Sequence, residues 1–359
     1  MFGLSSDKAL VGLDIGSHGV KALELRVKRK GRKDTYEVAR AGYEPLPLDA
    51  IVEGAIIDTA AVVETIKAAL GKAKITTKDV VISVSGNAVI IKKIALPAME
   101  TEELAESIIW EAKHNIPYPY EETNVDYAIL KPPPGAEERN LEILLVAVKK
   151  DKIAAYGNVI SQARKNLVAI EVDAFALYNV LEVNYPEDFA EKTVALVNIG
   201  ANTTTIVIVE RGVPQLFRDL SVGGLTFAEN LRKDLNVSPE EAESLLHGAA
   251  PAAVSPADVE ALLNLNVKSL IDEVEKTLSF YTAEDKREKR LEEIFLAGGL
   301  ANLRNIAGAF EQKFGLKATL FDPFRKVAYN EKKLNPVYYQ KMAPLVAGAA
   351  GLATRKREK

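Results

Sequence analysis

The chain has 359 residues, of which 48% are hydrophobic and 27% are charged, and its formal net charge is −4. This size and composition predict an ordinary soluble globular protein with two domains or lobes, and the slightly negative charge argues against a nucleic-acid binder. The absence of cysteine excludes disulfides, zinc–thiolate sites and thiol catalysis. A histidine metal cluster is not expected, because His18, His114 and His247 lie far apart in the sequence.

The sequence shows no feature of an exported or membrane-spanning chain. No basic start followed by an apolar run precedes the first predicted strand, and no segment approaches the roughly 20 apolar residues that span a bilayer. We therefore expect a cytoplasmic protein that contacts a membrane only through partners or a surface patch.

The first predicted elements form a hairpin followed by a third strand and a helix. The hairpin turn is tight, because Gly16 and Gly19 allow the backbone dihedral angles that such a turn requires. Asp58 or Thr59 can cap the helix at its N-terminus. The predicted elements are, in order, strands at 9–16, 19–28 and 35–45, a helix near 59–70, and the strand DVVISVSG.

Residues 87–173 are predicted to form an inserted subdomain with its own core. In its first helix, Leu104, Ile108 and Ile109 form an apolar stripe, and Trp110 is assigned to packing. The unit reads β-α-β-β-α-β, with a strand at 87–96, a helix at 101–115, strands at 124–131 and 141–149, a helix at 151–165 and a strand at 167–173.

The second half of the chain opens with a near copy of the first hairpin. The segment ALVNIGANTTTIVIV aligns with VGLDIGSHGVKALEL, and the copies begin at residues 195 and 11, so they are 195 − 11 = 184 positions apart. This spacing indicates an internal duplication that builds two similar lobes. The aligned pairs are Asn198 with Asp14, Gly200 with Gly16, and Thr205 with Lys21.

Both hairpin turns have the composition of phosphate-binding loops. Backbone N–H groups of a glycine-rich turn form a concavity for phosphate oxygens, and Lys21 adds a positive charge. One such turn is weak support, since glycine turns join strands in many proteins, but two turns facing each other would clamp a polyphosphate. The predicted contacts are Gly16, Ser17, His18 and Gly19 in the first turn and Gly200, Ala201, Asn202 and Thr203 in the second.

Helices dominate the predicted structure between the second hairpin and a last glycine-rich turn. The second helix of this part is capped by Ser238, with Glu241 three residues further on, and a long helix covers about 256–288. The segment EIFLAGGLANLRNIAGAF then predicts a strand, a turn and an amphipathic helix. At Gly298 and Gly299 a flat ring can lie directly on the backbone, close to a helix N-terminus and to Asn302.

These motifs carry a family resemblance. Two phosphate hairpins followed by an AGG turn resemble the actin, Hsp70 and sugar-kinase superfamily. More closely, GLDIGSHGVKALEL, ALPAMETEELAESIIWEAKHNIPYPYEE and APLVAGAAGLATR resemble the PilM family of actin-like type IV pilus assembly proteins over nearly the whole chain. The resemblance implies a two-lobed α/β ATPase fold with an FtsA-type inserted subdomain that contacts proteins, and it implies ATP and Mg²⁺ as cofactors.

The resemblance also implies a division of the chain and an adenosine site. The expected parts are a first lobe core at 1–86, the insertion at 87–173, a second lobe core at 174–223, a helical subdomain at 224–290, and the adenosine turn with C-terminal helices at 291–359. Members of the superfamily hold the ribose and adenine edge with a glutamate, here Glu243, and a basic residue one turn further on. That position is Leu246 in this chain, followed by His247.

The phosphate end of the predicted site favours binding over catalysis. Asp14, at a strand end beside the first turn, is placed to hold the water shell of Mg²⁺. Asn198 stands where the superfamily usually has aspartate, and an amide carries no charge and cannot act as a base. We therefore expect nucleotide binding with slow or undetectable hydrolysis.

The expected partner is the cytoplasmic N-terminal tail of PilN, which the PilM family binds between the first lobe and the inserted subdomain. That groove would be framed by Ile91, Lys92, Ile108 and Ile109. Other platform proteins and a homo-oligomer are further expected partners.

Two alternatives stay open. An FtsA-like, filament-forming division protein would be expected to end in a linker and an amphipathic membrane helix, whereas this sequence stops at GLATRKREK. A small-molecule kinase would need a catalytic aspartate facing its substrate. Asp173 is the candidate, although we assign it to capping the following helix.

Overall fold

The computed structural model describes residues 10–30, 33–130, 140–249, 254–283, 290–329 and 341–355. The strands are β1 (Leu10–Ile15), β2 (Gly19–Lys30), β3 (Lys33–Pro45), β4 (Ile51–Val52), β5 (Ala55–Ile56), β6 (Asp79–Val84), β7 (Val89–Pro97), β8 (Thr123–Ile129), β9 (Asn140–Lys149), β10 (Asn166–Val172), β11 (Thr193–Ile199), β12 (Thr204–Glu210), β13 (Val213–Leu220), β14 (Glu293–Ala297), β15 (Lys317–Leu320) and β16 (Val327–Ala328). The α-helices are α1 (Thr59–Lys72), α2 (Thr101–Asn115), α3 (Lys150–Gln162), α4 (Asp173–Asn184), α5 (Pro186–Glu191), α6 (Gly224–Leu235), α7 (Pro239–Leu246), α8 (Pro256–Ala283), α9 (Ile306–Phe314) and α10 (Ala347–Ala353). Short 3₁₀ turns cover Tyr120–Glu122, Gly299–Asn302 and Pro344–Val346.

Two large sheets repeat the same core arrangement. The first has the order β10-β6-β1-β2-β3-β16 and the second the order β13-β12-β11-β14-β15. In the first, β1 pairs antiparallel with β2 and parallel with β6, and in the second, β11 pairs in the same way with β12 and β14. Asp14 lies opposite Lys21 and Asn198 opposite Thr205, so the 184-residue offset expected from the sequence holds in the strand register.

Helices α4 and α10 lie between the two sheets and join them into one core. This core includes Leu23 and Leu25 from the first sheet, Leu196 from the second, and Ala350 from α10. The helices approach very closely, because a Cβ on Gly351 would overlap the carbonyl oxygen of Ala176.

The inserted subdomain is smaller than predicted. Strands β7, β9 and β8 form a separate three-stranded sheet, covered by α2 through a small core of its own. However, β10 pairs parallel with β6 in the first large sheet, and Tyr156 and Ile160 of α3 are buried in the first lobe. The predicted unit over 87–173 is therefore divided between two bodies, since strand periodicity does not encode which sheet a strand joins.

Trp110 was predicted to pack inside and is instead 58% exposed. The buried stripe of α2 is Leu104, Ile108 and Ala112, at a spacing of four residues, whereas Ile109 is 41% exposed. Because a helix turns once in 3.6 residues, Trp110 lies on the side opposite this stripe. The predicted stripe was correct for Leu104 and Ile108 and wrong for Ile109.

The local helix signals agree with the structure. Asp58 caps α1 by accepting a hydrogen bond from the N–H of Ala61 at 2.9 Å, and Ser238 and Glu241 form a complete capping box on α7. The long helix predicted to residue 288 extends to Ala283, beyond which 284–289 lie outside the described residues. None of the described helices combines the length and apolar character needed to cross a membrane.

Candidate functional site

The two duplicated hairpin turns line the same cleft between the lobes. In the first, Gly16 and Gly19 exchange N–H···O=C hydrogen bonds of 3.2 and 3.3 Å, and Ser17 and His18 form the tip. Neither glycine has the positive φ predicted from the sequence; at Gly19 a Cβ would instead lie 2.7 Å from the carbonyl oxygen of Glu44. In the second, the N–H of Gly200 donates to the carbonyl of Thr203 at 2.9 Å. These bonds close each turn on itself and hold the tip residues at the cleft.

The second turn is also tied to the helix that follows its sheet. The carbonyl groups of Gly200 and Ala201 accept hydrogen bonds from the N–H groups of Gly224 and Leu225, at 3.0 and 2.8 Å. A Cβ on Gly223 would lie 2.6 Å from the carbonyl oxygen of Ala201, which is too close for a side chain. The N-terminus of α6 is therefore packed directly against the turn.

The cleft has a wide outer part of about 930 Å³ and a small inner part of about 110 Å³. All of the predicted nucleotide-contacting residues line one part or both, except Gly19, which lies at the base of its turn. The outer part is lined by Asp14, His18, Lys21, Asn198, Gly200, Ala201, Glu243, Gly298, Gly299 and Asn302, among others. The inner part is lined by Asp14, Gly16, Ser17, His18, Lys21, Asn198, Gly200, Ala201, Asn202 and Thr203, among others.

Asp14 and Lys21 form an ion pair where the two parts meet. The Nζ of Lys21 lies 3.5 Å from Oδ2 of Asp14. Burial raises the pKa of Asp14, the charge of Lys21 opposes that rise, and the nearby Asp173 adds to it. A bound cation would stabilise the charged carboxylate against this burial.

The turn after β14, which is predicted to contact adenosine, has a backbone geometry that requires glycine. Gly298 has φ +89°, and a Cβ there would overlap the carbonyl oxygen of Ile199, so no other residue fits without strain. Its N–H donates to the carbonyl of Pro344 at 2.8 Å. The side-chain amide of Asn302 donates to the carbonyl of Lys341 at 3.0 Å, so this predicted ligand also braces the turn.

Glu243 is the centre of a polar cluster that bridges the lobes. Its Oε1 lies 2.8 Å from Nε2 of His18, in the first hairpin turn, and 3.1 Å from Nε2 of His247. These contacts lower the pKa of Glu243 to about 2, and the hydrogen bond to Glu243 raises the pKa of His247. His247, four residues after Glu243, is thus the basic side chain beside this glutamate, whereas Leu246 is buried.

The inner part contains Asp173, which the sequence analysis named only for the kinase alternative and assigned to helix capping. Asp173 lines this part, at the first residue of α4. The assignment of Asp173 to helix capping is wrong, because the N-cap is Val172 and no side chain caps this helix. Its position at the carboxyl end of β10, a parallel strand, is the signal that could have placed it in the cleft.

Two further polar side chains that the sequence reading missed hold the walls of the inner part. The Nζ of Lys152 donates to the carbonyl groups of Gly54 and Ser85, at 3.0 and 2.7 Å, and burial lowers the pKa of this lysine. Tyr156 donates its hydroxyl to the same carbonyl of Gly54 at 3.2 Å. Together they attach the β4–β5 hairpin to α3.

Asp219 of β13 forms a second contact between the lobes. It accepts hydrogen bonds from the hydroxyl of Thr205 at 2.8 Å and from the N–H of Gly86 at 3.2 Å. Gly86 belongs to the first lobe and Thr205 to the second, so Asp219 joins them at the inner end of the cleft. Burial raises the pKa of Asp219, and the bonds from Thr205 and Gly86 oppose that rise.

The four residues proposed for a partner groove do not form one surface. Ile108 is only 4% exposed and belongs to the core of the inserted subdomain. Ile91 packs toward the interlobe core, on the opposite face of β7 from Ile90, which packs toward α2. Lys92 and Ile109 are exposed. Strand alternation alone separates Ile91 from Lys92.

The described residues contain no cluster of three or more histidine, aspartate or glutamate side chains arranged to hold a metal ion. Mg²⁺ commonly binds proteins through one or two carboxylates, with waters and substrate phosphates completing its shell. Asp14, beside two glycine turns, fits that pattern. The site can therefore bind a phosphate-bearing ligand with a hydrated cation.

Comparison with known proteins assigns this architecture to a class and then to a family. The structure superposes on EutJ from Carboxydothermus hydrogenoformans with TM-score 0.56 and 15% identity, covering 96% of this chain and 88% of that one. MreB5 of Spiroplasma citri, solved bound to ADP, matches with TM-score 0.51 and 15% identity, over 96% and 95% of the two chains. The fold is that of the actin-like ATPases, as predicted.

A more specific match identifies the family. The family model described as type IV pilus assembly protein PilM matches residues 12–357. A chain of the PilM-PilN type IV pilus biogenesis complex superposes with TM-score 0.85 and 25% identity, covering 98% of this chain and 99% of that one. The chain belongs to the PilM family, which confirms the resemblance drawn from the motifs.

Proposed function

We propose that this protein is an ATP-binding scaffold of the type IV pilus inner-membrane platform, and that it binds the cytoplasmic N-terminal tail of PilN. In this proposal the protein is cytoplasmic and reaches the membrane through its partners. The proposal of ATP binding is supported by one observation: both glycine hairpins and the Gly298 turn line one interlobe cleft. The partner half is supported by the match to the PilM-PilN complex.

The dimensions and chemistry of the cleft suit a nucleotide. Small-molecule sites have volumes of about 300–1,000 Å³, and the outer part falls within this range. The two hairpin tips and Lys21 would hold the phosphates, and Asp14 would hold Mg²⁺ through its water shell. The adenine ring would lie against Gly298 and Gly299.

The cluster around Glu243 gives the nucleotide a second role. Glu243 is the proposed ribose ligand, but here it is bound to His18 from the opposite lobe. A nucleotide that hydrogen-bonds Oε1 of Glu243 would compete with His18 for that atom. Binding would therefore replace a direct contact between the lobes with contacts through the ligand, so that ATP acts as a conformational ligand.

Isothermal titration of the purified protein with ATP, with and without Mg²⁺, tests the nucleotide half. Lys21→Ala and Asp14→Ala should each weaken binding, because they remove a charge beside the phosphates or the metal. A matched control is Lys67→Ala, since Lys67 lies on the outer surface of α1. If the wild-type protein showed no Mg²⁺-dependent binding of ATP, the nucleotide half of the proposal would be lost.

The proposed binding of PilN is supported by a strand edge with which an extended peptide can pair. Among the described strands, β7 pairs only with β9 and forms one of the two edges of its sheet, the other being β8. An extended tail can add to such an edge through main-chain hydrogen bonds. The body-facing side of β7 approaches the second lobe, where Nζ of Lys93 lies 3.5 Å from Oε1 of Gln215 of β13.

Fluorescence polarisation with a labelled PilN N-terminal peptide tests this site. Lys92→Glu, at an exposed position of β7, should weaken binding, because it reverses a charge beside the docked tail. Lys67→Glu, a charge reversal on α1, is the control and should bind normally. Unchanged affinity in Lys92→Glu would move the tail away from β7, and no binding to wild-type protein would remove the partner half.

A further inference from the structure

The outer face of α2 carries an unusual exposed aromatic pair. Trp110 is 58% exposed, and its ring stacks on that of His114 with centroids 3.9 Å apart and planes 29° from parallel. Nδ1 of His114 lies 2.7 Å from the backbone carbonyl oxygen of Trp110. Beside them Ile109 is 41% exposed. Tryptophan is a common anchor of protein interfaces, and exposed apolar groups that cluster mark docking surfaces.

The rest of the helix fixes the direction of this face. Leu104, Ile108 and Ala112 are at most 4% exposed, so they anchor the opposite face of α2 on the sheet of the inserted subdomain. The stacking contact with His114 restrains the indole ring on the outside. The face formed by Glu106, Ile109, Trp110 and Lys113 is therefore presented as a preformed surface, which lowers the entropic cost of docking.

The charged residues of this face are segregated along the helix, with opposite signs in its two halves. Glu102, Glu103 and Glu106 are exposed in the N-terminal half, and Lys113 is exposed in the C-terminal half. Two such helices side by side and parallel would place carboxylates opposite carboxylates. Two antiparallel helices would place the acidic half of each against the basic half of the other.

We propose that α2 is a self-association surface, which pairs antiparallel with α2 of a second copy of this chain around a twofold axis. With the axis between Ile109 and Trp110, Ile109 of one copy faces Trp110 of the other, and Glu106 faces Lys113. In the same register the remaining carboxylates, Glu102 and Glu103, face the segment after His114 and meet no carboxylate of the second copy. The interface is isologous, as in most dimers.

The second copy is favoured over an unrelated basic segment because this face carries both charges. A purely basic partner would be repelled at Lys113, whereas in the antiparallel copy Lys113 of each chain meets Glu106 of the other. The proposed surface is separate from the nucleotide site, since α2 lines neither part of the interlobe cleft.

Trp110 is the only tryptophan of the chain, so its fluorescence reports directly on this face. The experiment measures sedimentation velocity and tryptophan emission of the full chain over a range of concentrations. A dimer should form as concentration rises, and the emission should shift to the blue as the indole leaves water. Trp110→Ala should abolish the dimer, with folding checked by circular dichroism.

Charge reversal then tests the register. Glu106→Lys and Lys113→Glu should each weaken self-association by about tenfold, because each reversal places like charges together at both symmetric contacts. An equimolar mixture of the two variants should form a heterodimer, since every facing pair is then opposite in charge, and the double variant should associate like the wild type. Lys67→Glu serves as the control and should dimerise normally.

Three results would overturn the proposal. The chain could remain monomeric up to its solubility limit, or a dimer could form that is unaffected by Trp110→Ala and by both charge reversals. A monomeric chain whose emission shifts to the blue only when a basic amphipathic peptide is added would assign this face to a different partner.

Discussion

At the scale of single residues, the cleft is held by side chains that reach across it. Glu243 on α7 binds His18 of the opposite lobe and His247 of its own helix, and Asp219 binds Gly86 of the opposite lobe. Each of these carboxylates accepts hydrogen bonds from a donor of its own lobe and from one of the opposite lobe. The protonation of these few groups is therefore tied to the state of the cleft.

The His247–Glu243 pair gives a prediction about pH. The pKa of His247 is raised above 6.5 by Glu243, so the stability from this pair is fully present below pH 6.5 and is lost as the pH rises through the raised value. Glu243→Gln should bring the pKa of His247 down toward 6.5, as measured by NMR titration of its ring protons. Glu240→Gln, at an exposed position on the same helix, should leave the titration of His247 as in the wild type.

Asp173 and Asn198 together give a prediction about turnover. Asn198 cannot act as a base, so we expect steady hydrolysis of ATP slower than about 1 s⁻¹, the low end of typical enzymes. Three carboxylates line the inner part, those of Asp14, Glu53 and Asp173. Since Asp14 is assigned to Mg²⁺, we assign proton acceptance from water to Asp173. Phosphate release should therefore fall further in Asp173→Asn while ATP binding persists. A faster wild-type rate, or a residual rate unchanged by Asp173→Asn, would contradict this assignment.

At the scale of elements, the interlobe core depends on the close packing of α10 against its neighbours. Helix α10 contacts β1 and α4 through glycine, since a Cβ on Gly12 would overlap the carbonyl of Ala349 and one on Gly351 would overlap that of Ala176. The small residues of α10 allow its backbone to approach both neighbours. Larger side chains would push the two sheets apart.

Paired glycine substitutions test this packing. Gly351→Ala should lower the free energy of unfolding by about 1–3 kcal/mol, because the added methyl overpacks the contact with α4. Gly308→Ala in α9 is the matched control, since nothing lies within 4 Å of a Cβ there. That variant should be more stable by about 0.5–1 kcal/mol, through better helix propensity. Equilibrium urea unfolding of both variants distinguishes the two outcomes.

At the scale of the whole molecule, two polar contacts close the lobes on each other without a ligand. His18–Glu243 lies at the outer cleft and Gly86–Asp219 at the inner end. We expect the proposed nucleotide, bound between them, to change these contacts. A nucleotide that binds only the folded protein adds stability that grows with its concentration, by about 2.7 kcal/mol at 100 times Kd. In the proposed function, binding of the nucleotide and closure of the lobes are therefore thermodynamically linked.

Weakening both contacts should open the cleft. In the double variant Glu243→Gln and Asp219→Asn, loss of the two carboxylate charges should increase the radius of gyration of the nucleotide-free protein, as measured by small-angle X-ray scattering. The control double variant Glu240→Gln with Lys67→Ala should scatter like the wild type. Identical scattering of all three proteins would mean that these contacts do not set the separation of the lobes.

The features that the sequence determined by itself are those that depend on short motifs and on their repetition. Asp14 and Gly16, with Asn198 and Gly200 placed 184 positions later, follow from repetition, and Gly298 follows from turn chemistry. The family follows from three stretches of sequence spread over the chain. The cap at Asp58 and the capping box at Ser238 are equally local.

Only the tertiary structure decided the features that depend on contacts between distant segments. It joined β10 to β6, turned Trp110 outward, placed Asp173 in the inner cleft and brought His18 to Glu243. Periodicity shows that a residue lies on a helix or strand face, but it does not show what covers that face. The two lobes come from segments far apart in the chain, so the contacts across the cleft exist only once both sheets have packed on α4 and α10.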